Sequence, residues 1–328
     1  MKDDIDRPGP PARKEMRLFD AAATRAALPF ERLIPALREM FRRDCAVPQR
    51  QVNEIAAPGG GGITSLIMPA WLPGSYYGVK TVNIAPGNAA RGLPGLHATY
   101  LLYDANSGVP LAQIDGSEIT ARRTAAASAL AATWLARPDA RRLLVIGAGQ
   151  VARLLPEAFR AVLPIERVDV WARAADKAAA LAAACRAQGI DARAATDLEA
   201  SVRQADIVSC ATFATAPVVQ GRWLAPGSHL DLIGSFTPQM READDDCFAG
   251  ASLYVDTDEA LQKSGELLGP LSRGVFSKGD VLGTLAGLCR GAVHGRSASE
   301  ERTVFKSVGS ALEDLAAAIL VHESGGAT

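Results

Sequence analysis

The stretch LLVIGAGQVA, residues 143–152, decides the fold of this chain. Four apolar residues precede a Gly-x-Gly-x-x-Ala sequence, and a helix-compatible run follows it. A glycine-rich turn between a buried strand and a helix is typical of a dinucleotide-binding βα unit. Gly147 permits the tight turn, Gly149 lets backbone N–H groups approach a pyrophosphate, and Ala152 keeps the helix close to the strand. The predicted cofactor contacts in this turn are Gly147, Gly149, Gln150, Val151 and Ala152.

Strand-like and helix-like segments alternate from the strand of this turn onwards, which predicts βαβ units and a doubly wound parallel sheet. We expect a kink at Pro156 in the helix after the turn, and a helix from about residue 300 to 322. The predicted strands are RRLLVIG (141–147), RVDVWA (167–172), residues 190–194, DIVSCAT (206–212), HLDLIGS (229–235) and SLYVDT (252–257).

The N-terminal half has a different pattern. Short β-like runs separated by Gly and Pro clusters fill residues 63–114, which predicts an antiparallel sheet. Helical periodicity over 18–41 predicts two short helices broken near Pro29 and Pro35, and an Ala-rich helix is expected over 118–136. We expect a disordered tail at 1–14 and a hairpin tip at 58–62.

The predicted fold class is α/β: a Rossmann-type parallel sheet plus a smaller α+β domain for substrate binding and dimerisation. The predicted Rossmann domain spans residues 121–308. The smaller domain is predicted to combine residues 15–120 with 309–328.

Composition excludes several functions. The 35 basic and 36 acidic residues leave a net charge of −1, so no basic surplus favours nucleic acid or an anionic membrane. The five cysteines are far apart and odd in number, so neither a disulfide framework nor a metal site is predicted. The acidic N-terminus lacks a secretory signal pattern, and no apolar run is long enough to span a membrane. A soluble cytoplasmic protein is therefore expected.

The segment after the second Rossmann strand predicts which dinucleotide binds. An acidic residue at this strand's end would contact a ribose 2′-hydroxyl, but Asp169 lies too early, inside the strand. Arg173 stands instead where a guanidinium meets a 2′-phosphate. This favours NADP(H), with NAD(H) as the alternative.

Several longer motifs resemble the ornithine cyclodeaminase/mu-crystallin family, over about residues 18–320. The resemblance implies homodimers of two-domain subunits with the substrate between the domains. The motifs are YGVKTVN (77–83), DGSEITARRTAAASALA (115–131), VIGAGQVA (145–152), WLAPGSHLDLIGSFTPQMRE (223–242) and TVFKSVGSALED (303–314).

The resemblance implies that three cations, Arg50, Lys80 and Arg123, hold the substrate carboxylate. Guanidinium forks are well suited to this task. Lys80 or a water is expected to supply a proton, so Lys80 is the predicted catalytic residue. Met68 and Phe236 are predicted to shape the pocket. The resemblance further places Thr124, Thr212, Ser235 and Lys306 at the cofactor.

Two departures from the family pattern bear on the reaction. True ornithine cyclodeaminases carry an Asp where this chain has Phe236, and a Glu where it has Leu66. An aromatic ring cannot act as a general base. We therefore expect an NAD(P)H-dependent reductase of small cyclic ketimine acids such as 1-pyrroline-2-carboxylate. Ornithine cyclodeaminase, an alanine-type amino-acid dehydrogenase and a non-catalytic NADP-binding protein are the alternatives.

Overall fold

A computed structural model describes residues 15–57 and 62–325 of the chain. The tail predicted at 1–14 lies outside the described residues, as does all but Gly62 of the hairpin tip predicted at 58–62. The described part forms two β-sheets, each flanked by helices, and the predicted α/β fold class is confirmed.

The first sheet has six strands in the order β1-β6-β5-β4-β3-β2. The four pairings from β2 to β6 are antiparallel, as the alternation over residues 63–114 predicts, whereas β1 is parallel to β6. No pattern in the sequence indicated β1, and the hairpin tip predicted at 58–62 implied a strand at β2 without giving its bounds. The bounds are β1 (Arg17–Phe19), β2 (Gln51–Ala56), β3 (Gly62–Trp71), β4 (Tyr76–Ile84), β5 (Leu96–Asp104) and β6 (Pro110–Asp115).

The second sheet has eight parallel strands in the order β13-β12-β14-β11-β10-β7-β8-β9. The strand order reverses between β7 and β10, which is where open α/β sheets bind ligands. The bounds are β7 (Arg142–Ile146), β8 (Arg167–Trp171), β9 (Asp191–Ala194), β10 (Ile207–Cys210), β11 (His229–Leu232), β12 (Ser252–Val255), β13 (Val281–Thr284) and β14 (Thr303–Lys306).

Ten α-helices accompany these strands in the described residues. Their bounds are α1 (Ala21–Ala27), α2 (Phe30–Arg42), α3 (Gly116–Leu135), α4 (Leu155–Arg160), α5 (Ala175–Ala187), α6 (Leu198–Gln204), α7 (Ala260–Lys263), α8 (Gly265–Ser272), α9 (Leu285–Arg290) and α10 (Ala311–Ser324). None of them combines the length and apolarity needed to cross a bilayer.

Three local predictions are wrong. Pro29 does separate α1 from α2, but Pro35 lies inside α2 rather than ending it. Pro156 occupies the first turn of α4, where its missing N–H breaks no helical bond, so it causes no kink. The predicted helix over 300–322 is a strand followed by a helix, because residues 303–306 form β14 between β11 and β12.

Helix α3 lies between the two sheets. Asp115 caps its N-terminus by accepting a hydrogen bond from Glu118 N at 2.8 Å. The helix is buried on nearly every side, since its many alanines let β5, β14 and helix α2 pack closely around it. The predicted domain boundary at residue 121 falls inside this helix, and the division into domains stays a prediction.

Helix α10 returns the chain to the first sheet and packs on β3 and β4 and on helix α2. It therefore covers the face of the sheet that carries Lys80. The loop between β14 and α10 links the two sheets, and the candidate site is built around this loop.

Candidate active site

The glycine-rich turn follows β7 directly, at the reversal of strand order. Gly147 has a φ of +120°, and a Cβ added there would lie 2.4 Å from Ala211 O. Gly149 is exposed, and a Cβ added there would meet no protein atom within 4 Å. The space beside Gly149 is open to a ligand, while Gly147 is fixed by packing. These two observations fit a backbone that approaches a pyrophosphate.

The turn departs from the prediction in one respect. Regular helix begins only at Leu155, and irregular turns span residues 150–154. Ala152 is fully buried, as close packing against the strand requires, whereas Gln150 is exposed and Val151 is half-buried.

Glu242 organises the neighbouring strand ends, and sequence reasoning gave it no role. Its carboxylate accepts hydrogen bonds from Thr212 N at 2.7 Å, Thr212 Oγ1 at 2.8 Å and Gly234 N at 2.7 Å. Burial raises the pKa of Glu242 to about 8. Glu242 thereby fixes the carboxyl ends of β10 and β11, which flank the dinucleotide crevice. In the sequence, only the position of Glu242 at the end of the motif at 223–242 indicated a functional role for this residue.

Several predicted cofactor side chains are engaged within the protein. Thr212 Oγ1 bonds Glu242, Thr124 Oγ1 donates to Thr120 O at 2.6 Å, and Ser235 Oγ donates to Met240 O at 2.6 Å. Lys306 is fully buried and donates from Nζ to Leu232 O at 2.9 Å. Thr124 and Thr212 retain acceptor capacity, but the Lys306 ammonium is enclosed by protein. These assignments stay predictions.

Arg173 lies just beyond β8 and is exposed. The described residues include no ion-pair partner for it. Asp169, in contrast, is buried inside β8 and is bound by Arg193 and lies near Arg167. The carboxylate of Asp169 is therefore held in internal ion pairs. The exposed charge just beyond the end of β8 is the guanidinium of Arg173.

The three predicted carboxylate-binding cations converge on one loop and one helix. Lys80 Nζ lies 2.6 Å from Asp314 Oδ2 and 3.2 Å from Thr120 Oγ1. Arg123 donates from Nε to Asp314 Oδ1 and from Nη1 to Glu313 Oε2, both at 2.9 Å. We call Lys80, Arg123, Glu313 and Asp314 the buried ion cluster.

Arg50 joins the buried ion cluster through the loop before α10. Its Nη2 donates to Gly309 O and to Glu259 Oε2, both at 3.0 Å. A lysine has three N–H donors and an arginine five, so none of the three cations has spent all its donors on these bonds. Each therefore keeps at least one N–H donor that these contacts do not use.

Burial controls the ionisation of the buried ion cluster. Desolvation lowers the pKa of Lys80 to about 8, opposed by the charge of Asp314. Desolvation also raises the pKa of Glu313 to about 7, opposed by Arg123. The pKa of Asp314 stays low despite its burial, because Lys80 and Arg123 favour its ionised form. Lys80 thus titrates in a range where proton transfer at neutral pH is feasible.

A cavity of about 340 Å³ adjoins the buried ion cluster. Arg50 and Met68 line it, together with Asp256, Glu259 and Gly309. Lys80 and Arg123 do not line it but lie beside it, since Met68 pairs with Lys80 across β3 and β4 and Gly309 approaches Arg123. The size lies within the range of small-molecule pockets.

Phe236 lies apart from this cavity. It is 42% exposed, and its ring packs edge-to-face on Phe213 at 6.1 Å between centroids. Phe213, which sequence reasoning missed, is 80% exposed on the segment that follows β10. Two exposed aromatic rings thus stand at the carboxyl edge of the second sheet, the edge at which open α/β sheets bind ligands.

Comparisons with known proteins show the family of this chain. The profile of the ornithine cyclodeaminase/mu-crystallin family matches residues 21–327. The chain belongs to this family. A Δ1-pyrroline-2-carboxylate reductase from Paracoccus denitrificans is 44% identical to the chain, with 84% of this chain and 88% of that protein aligned.

Two solved structures have the same fold across nearly the whole chain. One is a Thermococcus litoralis Δ1-pyrroline-2-carboxylate reductase in complex with NADH and L-proline. It matches with a TM-score of 0.88 and 32% identity, covering 94% of this chain and 97% of that one. The other is an archaeal alanine dehydrogenase dimer with bound NAD, with a TM-score of 0.87 and 31% identity, covering 95% and 96%.

Proposed function

We propose that this protein is an NAD(P)H-dependent reductase of small cyclic ketimine acids such as 1-pyrroline-2-carboxylate. The observation that carries the proposal is the convergence of Arg50, Lys80 and Arg123 on Gly309 and Asp314, beside a cavity of about 340 Å³. Membership of a family with reductases of this substrate class supports it.

The reaction adds a hydride to C2 of the imine and a proton to its nitrogen. When bound, the reduced nicotinamide supplies the hydride. The unused donors of Arg50, Lys80 and Arg123 hold the substrate carboxylate, which orients C2. Lys80 donates the proton, and solvent reprotonates it once product leaves.

The residues at positions 236 and 66 favour reduction over ammonia elimination. Phe236 presents an aromatic ring, and Leu66 is a half-buried apolar side chain of β3. Neither can take a proton from water or an amine, a step that deamination of ornithine requires. A preformed imine is already electrophilic, so its reduction needs only positioning and one proton donor.

We propose NADP(H) as the cofactor, with NAD(H) as the alternative. The exposed Arg173 beyond β8 supports this choice, because a guanidinium binds a 2′-phosphate bidentately. The commitment of Asp169 to internal ion pairs supports it further, since this carboxylate is then not free to bind a ribose 2′-hydroxyl.

We also propose a homodimer formed through the first sheet. Side chains alternate along a strand, so Lys80 and Met68 face α10 while Ile67, Val79 and Leu101 face the opposite way. These apolar side chains are only partly buried in the single chain, and Tyr77 stacks on Tyr103 beside them at 5.2 Å. An apolar sheet face of this kind favours self-association.

Two incubations test the reaction. Purified protein is mixed with NADPH and 1-pyrroline-2-carboxylate, and separately with NAD⁺ and ornithine, while NADPH absorbance and ammonia are followed. We expect NADPH oxidation with proline as product in the first and no ammonia in the second. Ammonia release from ornithine would support the cyclodeaminase alternative instead. Absence of turnover in both would overturn the proposal, and alanine with NAD⁺ then tests the amino-acid dehydrogenase alternative.

A further inference from the structure

We propose that Asp256, a buried residue in the wall of the cavity, is a positioning residue that holds the carboxylate-binding cations in place through the backbone of the loop before α10. Asp256 directly follows β12 and is 1% exposed. Its Oδ1 accepts a hydrogen bond from Thr257 N at 2.7 Å. Its Oδ2 accepts from Val308 N at 2.7 Å and Gly309 N at 2.6 Å. One buried carboxylate therefore anchors the loop between β14 and α10.

That loop contacts two of the three cations at a single residue. Gly309 O accepts the hydrogen bond from Arg50 Nη2 at 3.0 Å. Gly309 also has a φ of +79°, and a Cβ added there would lie 2.4 Å from Arg123 Nη1. The position of Gly309 thus determines where Arg50 is held and how closely Arg123 approaches.

The same loop sets the start of α10. Ser310 caps the helix by accepting from Leu312 N at 3.2 Å. Glu313 and Asp314, in the first turn that follows, bind Arg123 and Lys80. A shift of this loop would move Gly309 together with Glu313 and Asp314. The positions of all three cations therefore depend on the loop that Asp256 anchors.

Asp256 accepts three hydrogen bonds from backbone N–H groups. Hydrogen bonds from backbone N–H groups to a carboxylate are charge-assisted, and removing the acceptor leaves buried donors unpaired. An Asp256→Asn variant keeps an acceptor oxygen and the side-chain volume, while Asp256→Ala removes both oxygens. Asp256→Asn therefore removes part of the hydrogen bonding to the loop, and Asp256→Ala removes all of it.

The inference rests on the proposed function, because it assigns Asp256 to the carboxylate-binding part of that site. The test measures KM and kcat for 1-pyrroline-2-carboxylate, the Kd for NADPH from quenching of tryptophan fluorescence, and Tm. We expect Asp256→Asn to raise KM by about tenfold. Asp256→Ala raises it further, and in both variants kcat and the NADPH Kd change by less than about threefold.

Asp245→Asn is the matched control. Asp245 is also an aspartate of the second sheet's loops, and it binds Arg241 and Arg273 away from the buried ion cluster. We expect its substitution to leave KM unchanged. An unchanged KM in folded Asp256→Asn and Asp256→Ala, or a parallel loss of NADPH affinity, would overturn the inference.

A binding measurement separates this inference from the reaction itself. Pyrrole-2-carboxylate, a planar non-reactive carboxylate, is titrated into the NADP⁺-loaded protein. Weaker binding to Asp256→Asn supports the positioning role even if the wild-type protein reduces no cyclic imine, in which case only the proposed function fails. Equal binding to wild type and both Asp256 variants contradicts the positioning role.

Discussion

Lys80 Nζ lies 2.6 Å from Asp314 Oδ2, although one residue belongs to the first sheet and the other to the last helix. Both side chains are almost wholly buried. Removing one partner of a buried ion pair typically costs about 3–5 kcal/mol, because the other charge is left uncompensated. This pair therefore holds α10 on the sheet, and its carboxylate opposes the lowering of the Lys80 pKa by burial.

The first prediction concerns the pH dependence of that donor. Burial lowers the pKa of Lys80 to about 8, and a donor acts only while protonated. We expect kcat/KM to fall as pH rises through about 8. Lys80→Arg should lower kcat/KM by about 10²–10⁴-fold and lose this basic limb, because a guanidinium keeps its proton. Steady-state rates from pH 6 to about 10 measure both.

The substrate imine titrates as well, but it does so identically in both proteins. Comparing the two profiles therefore isolates the contribution of the enzyme. The same basic limb in wild type and Lys80→Arg would exclude Lys80 as the donor.

The second prediction concerns cofactor choice. Arg173→Ala should raise the KM for NADPH by about 10–100-fold, the equivalent of one lost charge-assisted hydrogen bond, and leave the KM for NADH unchanged. Arg160→Ala, which removes an exposed arginine at the end of α4, serves as the control and should change neither KM. Equal losses for NADPH and NADH in Arg173→Ala would refute the 2′-phosphate assignment.

The third prediction is that alanine substitutions at Gly147 and Gly149 have different effects on stability. Gly149→Ala should fold with an unchanged Tm, because its Cβ meets no protein atom within 4 Å, yet bind NADPH more weakly. Gly147→Ala should lower Tm as well, since its Cβ would clash with Ala211 O and its φ is positive. Gly87→Ala, equally unobstructed but outside the turn, is the control. Tight NADPH binding by Gly149→Ala would argue against a pyrophosphate at this turn.

The fourth prediction concerns assembly. Val79→Glu places a charge on the half-buried outer face of the first sheet and should shift the protein from dimer to monomer in light scattering coupled to size exclusion. Leu282→Glu, at a 50% exposed residue of the second sheet, should leave the molecular mass unchanged. A monomeric wild-type protein, or a Val79→Glu variant that stays dimeric, is incompatible with the proposed interface.

Sequence reasoning predicted the features that are determined locally. The turn at Gly147 and the hairpins of the first sheet follow from short patterns, since alternation and glycine placement act over a few residues. It failed at β14, because a four-residue buried strand and the helix after it form one apolar run. Only long-range pairing with β11 and β12 shows that Thr303 to Lys306 is a strand.

The counter-ions of the candidate site could not be predicted for the same reason. Arg123 and Asp314 are 191 positions apart, and nothing in either local pattern indicates that they meet. The family resemblance supplied the cations Arg50, Lys80 and Arg123, but not the residues that hold them. Asp256, Glu313 and Asp314 became identifiable only once the fold brought the loop before α10 against them.

The most direct test of the central claim follows the hydride itself. Protein is incubated with 1-pyrroline-2-carboxylate and NADPH deuterated at C4 of the nicotinamide, each C4 position in turn, and the product is examined by mass spectrometry and NMR. The account predicts proline with deuterium at C2 from one of the two labelled cofactors. Proline without deuterium from both, or no proline at all, would contradict it.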